Sequence, residues 1–356
     1  MTLNPLISIL MPVYNGERFI KQAIESILCQ TLRDFELVIV NDASFDGTIQ
    51  IVNSFTDKRI RLINSSKRLG LAKIRDKGIR ECRGEFIAFL DSDDIALPQR
   101  LEKQWDYMDR NREISLTGSW VKVIDDEDKL TGRVFKHVCR PEIIKSVLLF
   151  RNCFTQSAVM IRKAAVQKHG FRSSFNAAPD FDLWSRLAQH LRLANIPRVF
   201  SLYREYKGNL TDKTSPEIEN CTRRIFAASL EKMGLAPTEE EILVHDSLER
   251  KKDGWTLKAL VKAKYWLQKL CQANGENKVY DRKIFEQLLF DYWFKICCLG
   301  ADWGIPVFQL YKDLSFRKQV RIKERDLILF MLTSIKKSKH IDITANTWIN
   351  STYPDL

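Results

Sequence analysis

The sequence predicts an α/β protein: a mostly parallel, Rossmann-like central sheet flanked by helices, followed by an all-α C-terminal region. Three observations carry this. Short apolar runs without strict alternation recur through the first hundred residues, at 6–12 (LISILMP), 35–40 (FELVIV) and 85–90 (EFIAFL). Strands buried on both faces, as in parallel sheets, read this way. Segments with apolar residues three and four apart separate these runs. After about residue 212 the strand signals nearly vanish and amphipathic helices take over.

In order along the chain, 6–12 is a buried strand ending near Pro12. Residues 17–30 place Phe19, Ile20, Ala23, Ile24, Ile27 and Leu28 at helical spacing. A strand at 35–40, a helix at 48–55, a short strand at 60–64 and a helix at 71–82 ending near Gly84 follow. The next buried strand is 85–90. Beyond it come a helix at 98–108, strand and turn at 113–125, and a hairpin or loop at 125–131. A helix at 142–150, a strand at 158–161 and helices at 163–168 and 181–191 precede a last strand at 198–203. Later helices are expected at 218–233, 239–248, 255–273, 282–299 and 325–334. A domain boundary is placed at 212–216, giving a catalytic domain over 1–211 and a helical domain of unassigned role over 216–356.

The chain has 356 residues, enough for two domains. Gly at 14 and Pro at 10 exclude a low-complexity or collagen-like chain. The formal net charge of +12 favours anionic partners without choosing among nucleic acid, phosphorylated substrates and an anionic membrane face. No recognisable nucleic-acid-binding module accompanies it. Eight cysteines form no C-x-x-C pair, so they read as small buried thiols in a reducing compartment. The opening residues lack a basic leader pattern and no run of about 18 apolar residues exists. A cytoplasmic protein is expected. Residues 312–340 carry nine Lys/Arg against three acids, interleaved with apolar residues. Two readings fit this stretch: peripheral docking on the inner face of an anionic membrane, or a packed helix with a solvated basic face. Nothing in the pattern sets an oligomeric state.

Open parallel sheets bind ligands outside the carboxyl ends of their strands. Three segments lie there. Asp91-Ser92-Asp93-Asp94 follows the 85–90 strand directly. Carboxylates packed this closely repel one another. A hard divalent cation relieves the repulsion, and Mg2+ typically takes one or two carboxylates and fills its shell with water and phosphate oxygens. The run therefore fits a metal–diphosphate site or a solvated acidic turn. Asp42 follows the second strand, where it can accept from a nucleobase or ribose or serve as a turn acid; Asp46 reads as a cap. Arg68 and Arg75 flank Gly70, which permits a tight entry into a helix, and both can pair with phosphate. Asp180 and Asp182 sit at a helix start, where the dipole favours the ionised form. A carboxylate there can take a proton from a hydroxyl or simply cap the helix.

Taken in order, Met11-Pro12-Val13-Tyr14-Asn15-Gly16, the Asn41-Asp42 turn, the Arg75 helix, Asp91–Asp94 and Asp180-x-Asp182-Leu183-Trp184 resemble the family 2 glycosyltransferases of the GT-A nucleotide-sugar fold. The resemblance covers roughly residues 5–210. It implies an inverting transferase that moves a sugar from a nucleotide-diphosphate donor, a UDP-sugar, to a hydroxyl of a saccharide or lipid-linked saccharide. Bacterial cell-surface polysaccharide assembly is the implied setting. Pro12, Val13, Tyr14 and Asp42 fall where the family contacts the nucleoside, and Gly70 and Arg75 in the nucleotide-side helix. Asp91 and Ser92 lie near the ribose or sugar. Asp93 matches the metal ligand of the DXD motif, with Asp94 beside it, for Mn2+ or Mg2+. Asp180 matches the general base and Asp182 its near neighbour. Asn152, Gln156 and Trp184 fall on the acceptor side.

The chain departs from the family at Asn41, where Asp is common, and at Arg68, where Asn is frequent. Pro179 replaces a frequent Glu, Gln156 a frequent His, and Tyr206 a His that often closes the site. These departures motivate an alternative: a catalytically degenerate member that binds a nucleotide sugar or a partner without turnover.

Overall fold

The computed structural model describes residues 4–209, 216–251 and 253–313. The chain divides into two compact units, Met1–Pro141 with Cys153–Thr222, and Glu142–Asn152 with Arg223–Leu356. The expected helix at 325–334 and all but the first two residues of the basic stretch 312–340 lie outside the described residues.

The first unit is built on one sheet. Its strands are β1 (Ile7–Val13), β2 (Phe35–Asn41), β3 (Ile60–Asn64), β4 (Phe86–Phe89), β5 (Ile95–Ala96), β6 (Ile114–Ile124), β7 (Leu130–Phe135), β8 (Met160–Arg162) and β9 (Arg192–Arg204). They run in the order β3-β2-β1-β4-β8-β6-β9-β5, with β7 paired to β6. The β3-β2-β1-β4 half is wholly parallel, as the uninterrupted apolar runs predict. β6 and β9 are also parallel, while β8 joins β4 and β6 antiparallel. Every residue of β1 and β2 is buried, Ser8, Glu36 and Asn41 included. Ile9, Met11, Leu37 and Ile39 pack with Ile20, Ile24 and Ile27 of α1 (Ile20–Leu28) in one apolar cluster. The other helices of this unit are α2 (Thr48–Asn53), α3 (Leu71–Glu81), α4 (Arg100–Arg110), α6 (Lys163–His169) and α7 (Pro179–Leu187), with α5 (Pro141–Val147) starting at its boundary.

Some edges move from their expected places. β9 starts at Arg192 rather than 198, because its pairing with β6 absorbs polar residues through register shifts near Leu116 and Trp120. The strand expected at 158–161 becomes a 3-10 turn, Gln156–Ala158, followed by β8. β5 has two residues, too few to show a period.

The second unit is helical in its described part: most of α5, then α8 (Pro216–Glu231), which begins in the first unit, α9 (Glu239–Arg250), α10 (Leu257–Asn277), α11 (Arg282–Leu299) and α12 (Ile305–Lys312). Thr238, Thr256 and Asp281 each accept a backbone N–H in the first turn of the helix they cap, and Thr238 and Glu241 close a reciprocal box. α11 is buried almost all round, from Phe285 to Cys298. Trp255, Trp266 and Trp293 are core residues, whereas Trp303 is 48% exposed. No described helix is long and apolar enough to cross a membrane.

Candidate functional site

The loops after β1 and β2 are stitched to each other. The N–H of Asn15 donates to Ser44 Oγ at 2.9 Å, and that of Phe45 to Asn15 Oδ1 at 3.1 Å. Gly16 N–H donates to Thr48 Oγ1 at 2.8 Å. Asn15 and Ala43 hold left-handed backbones, with φ of 51° and 60°. Non-glycine residues adopt this region at a cost, and such strain concentrates where backbone geometry matters. Pro12 and Val13 are buried at the end of β1. Tyr14 carries the Arg68 guanidinium 3.9 Å over its ring and the exposed Phe45 edge-on.

Asp42 is buried and accepts the N–H of Leu69 at 2.6 Å and that of Gly70 at 2.9 Å. Its carboxylate thus shapes the entry to α3. Gly70 has φ of +86°, and an added Cβ there would lie 3.1 Å from Asn176 Oδ1. Asn176 in turn accepts the N–H of Ala72, serving the helix start. Asn41 donates to Asn64 Oδ1 and accepts from Ser44 N–H, a local tie between β2, β3 and the loop.

The acidic turn after β4 is the electrostatic centre. Asp91 accepts from Arg75, a side chain 3% exposed, at 2.8 Å. Ser92 lies against Gly16. Asp93 accepts the Tyr206 hydroxyl at 3.1 Å, and burial together with the Asp91 charge pushes its carboxyl up to about 6. Asp94 is fully buried. Burial and the neighbouring Asp93 and Asp91 charges hold its carboxyl well above the usual range. Its Oδ1 accepts the N–H of Arg204 at 2.8 Å. Two guanidinium groups lie beneath this turn. Arg204 Nε donates to the Asp93 carbonyl at 2.8 Å. Arg100 donates to the Phe89 carbonyl at 2.7 Å, and burial brings its pKa down to about 9.

Asp180 occupies the first turn of α7. Desolvation raises its carboxyl above the usual range, against the pull of the Arg75 charge and backbone N–H groups. Arg75 therefore acts on both Asp91 and Asp180. Asp182 is buried, and its oxygens accept from Arg172 and from Arg186, the latter at 3.0 Å. That geometry anchors α7. Trp184 is buried with its ring against Phe89 and Phe154, in the core behind β4. Gln156 is buried beside Ser157, whose Oγ accepts the Asp91 N–H at 3.0 Å. Asn152 is half-buried and belongs to the helical unit.

The strand ends thus bring together Tyr14, Asp42, Gly70, Arg75, Asp91, Ser92, Asp93 and Asp180. Asp94, Asp182 and Trp184 support them from within. Arg204, Arg100 and Asn176 escaped the sequence reading. The first two carry one faint signal each: Arg204 ends the apolar run of β9, and Arg100 lies at i and i+4 with Gln104 on the buried face of α4. Asn176 has none, because its partner is over a hundred residues away in the chain.

Among the described residues no three His, Cys, Asp or Glu side chains form a closed metal cage. The donor set still fits a cation that is shared with phosphate, since Asp91 and Asp93 crowd each other's charge.

The profile of "Glycosyl transferase family 2" matches residues 8–170. A Methanocaldococcus jannaschii protein, "Uncharacterized glycosyltransferase MJ1057", is 35% identical over 51% of this chain and 64% of its own length. The chain therefore spans just under two thirds of that relative. The Escherichia coli "O-antigen biosynthesis glycosyltransferase WbnJ" is 30% identical over 56% of this chain and 79% of its own length. Among solved structures, Staphylococcus aureus TarS 1-349 in complex with UDP-GlcNAc aligns over 89% of this chain and 93% of its own, with a TM-score of 0.56 at 17% identity. That likeness concerns the fold.

Proposed function

The chain belongs to glycosyl transferase family 2, and from that premise we propose that it is an inverting glycosyltransferase using a UDP-sugar donor. The observation that carries the reading is that Arg75 pairs with Asp91 and acts on Asp180 of α7, while Asp93 crowds Asp91 after β4 and Asp42 after β2 holds the entry to the Arg75 helix. The nucleoside lies along Tyr14 and the Asp42 side of the sheet. The diphosphate faces the acidic turn. When bound, Mn2+ or Mg2+ supplies the countercharge for the leaving diphosphate, and Asp93 would hold it.

Asp180 takes the proton from an acceptor hydroxyl. The freed oxygen attacks the anomeric carbon as the bond to the diphosphate breaks, and the electron pair leaves with the diphosphate. One displacement inverts the centre. The raised pKa of Asp180 suits this work, because a base acts best with a pKa near the working pH. Arg75 orients Asp91 and keeps Asp180 chargeable. Asp182 holds α7 in place through Arg172 and Arg186. The acceptor is a saccharide or lipid-linked saccharide in cell-surface polysaccharide assembly. The name of the WbnJ relative supports that setting, and the UDP-GlcNAc of the TarS complex supports the donor class. Residues 1–211 form the catalytic domain, acting in the cytoplasm with peripheral contact to the membrane.

Calorimetric titration with UDP and with GDP, each with and without Mn2+, tests the reading. Metal-enhanced UDP binding is expected, followed by sugar release from one UDP-sugar in a hydrolysis screen. GDP preference would change the donor. Binding without any turnover across donors and acceptors would leave a degenerate sugar-nucleotide binder.

A further inference from the structure

Arg204 is 1% exposed, and it is among the most heavily bonded side chains of the sheet unit. Its Nε donates to the Asp93 carbonyl at 2.8 Å. Nη1 donates to the Asp125 carbonyl at 3.0 Å and to Asp128 Oδ1 at 2.6 Å. Nη2 donates to Gln22 Oε1 at 3.0 Å. Its backbone N–H holds Asp94, and its guanidinium lies 4.4 Å over the Phe19 ring. Phe19 also packs on Tyr206, the residue whose hydroxyl reaches Asp93. The second Asp128 oxygen accepts from Gln22 at 2.7 Å, and Arg18 reaches Asp126. The β6–β7 turn, α1 and the acidic turn therefore meet on one planar fork.

A guanidinium suits this position because its donors diverge in fixed directions, so moving one partner moves the others. Resting on the reading above, we propose that Arg204 is a positioning residue: it fixes the Asp93 backbone so that the Asp93 carboxylate meets the cation–diphosphate group. The β6–β7 turn tunes that position from outside through Asp128. Residues that orient a metal ligand typically change affinity about 10–100-fold when lost. Asp128 is itself 44% exposed as a side chain, so its loss leaves Arg204 buried among its other partners.

The test is calorimetric titration of the full chain with UDP, with and without Mn2+, for the wild type, Arg204→Met, Asp128→Asn and Gln22→Ala, alongside thermal melting. The Mn2+-dependent gain in UDP affinity is expected to fall about 10-fold or more in Arg204→Met. It is expected to fall roughly two- to fivefold in Asp128→Asn, the size of one partly exposed ion pair. UDP affinity without metal stays at the wild-type value. If Arg204→Met does not fold, Asp128→Asn and Gln22→Ala decide. Folded variants that keep the wild-type gain, or that lose metal-free and metal-dependent affinity equally, overturn the positioning role and leave the donor reading standing. A wild type that binds UDP without any Mn2+-dependent gain removes the positioning role alone, and one that binds no UDP removes both.

Discussion

Both units bury charge, but they distribute it differently. In the sheet unit Arg75, Arg100, Arg204 and Asp94 are buried, and with Asp91, Asp93 and Asp180 they crowd the ends of a few strands. In the helical unit buried charges are spread along helices, and several are paired locally. Arg223 and Arg250 meet Asp246, and Arg282 meets Glu286. His245 is stacked on Phe150 and bonded to the Leu149 carbonyl and the Trp266 indole, with burial bringing it down to about 4. Buried charge alone therefore does not mark chemistry. What marks it is convergence of like charges beyond what their neighbours neutralise, as at Asp93 and Asp94 beside Asp91.

The sharpest way to break this contrast is Asp180→Asn. A general base contributes about 10²–10⁴ in rate, so turnover is expected to fall by roughly a thousandfold. UDP binding and the melting temperature hold. In the wild type, kcat/KM should fall with decreasing pH as Asp180 takes a proton, with an acid limb above the ordinary carboxylate range because its pKa is raised. Full turnover in the variant would place the base elsewhere.

Asp182→Ala probes stability rather than rate. It leaves Arg186 without its carboxylate inside the protein. Removing one partner of a buried pair costs about 3–5 kcal/mol, and the exposed half of Arg172 can turn to water, so the lower end is expected. A melting temperature lower by roughly 10 °C would register it. An unchanged melt with lost activity would instead move Asp182 into the reaction.

These two aspartates show what was legible. Two acids at a helix start, two residues apart, look alike in sequence. Only the fold separates them, by setting Asp182 between two guanidinium groups and Asp180 near Arg75. The parallel half of the sheet was readable because burial on both faces leaves mostly apolar residues in β1, β2 and β4. β9 was half-read, because its bulges break the apolar run. Arg204 and Asn176 could not be read, since their roles depend on partners brought together from distant segments. Trp184 falls on the acceptor side by resemblance; its full burial against Phe89 and Phe154 makes it core.

Burial also sets a pH dependence of stability in the helical unit. Burial pushes Asp291 up to about 7, with one hydrogen bond from Gln287 to support it. Folding therefore favours its protonated form. That contribution is complete below about pH 4, is lost as pH rises, and is gone above about 7. Asp291→Asn removes the dependence. Its melting temperature should match the wild type near pH 4 and exceed it near pH 8, by on the order of 2–4 kcal/mol in stability. His245 has the opposite sign: its pKa is lowered, so its contribution is present above about 6.5 and is lost as pH falls toward 4. A higher wild-type melt at pH 8 than Asp291→Asn would contradict the assignment.

The smallest effect is expected at Asn41→Asp, which restores the acid common in the family. The new carboxylate still accepts the Ser44 N–H. It loses the bond donated to Asn64 Oδ1, but Asn64 can turn its amide over and present its NH2 instead. One neutral bond is exchanged for a charge-assisted one, against the desolvation of a carboxylate at a buried site beside Asp42. The opposing effects nearly cancel, so stability should change by less than about 1 kcal/mol, with UDP affinity within roughly threefold of the wild type. A large gain in UDP affinity would show that the position reads the nucleoside directly. A collapse in stability would show that the Asn41–Asn64 tie, rather than the apolar core, holds the end of β2 against β3.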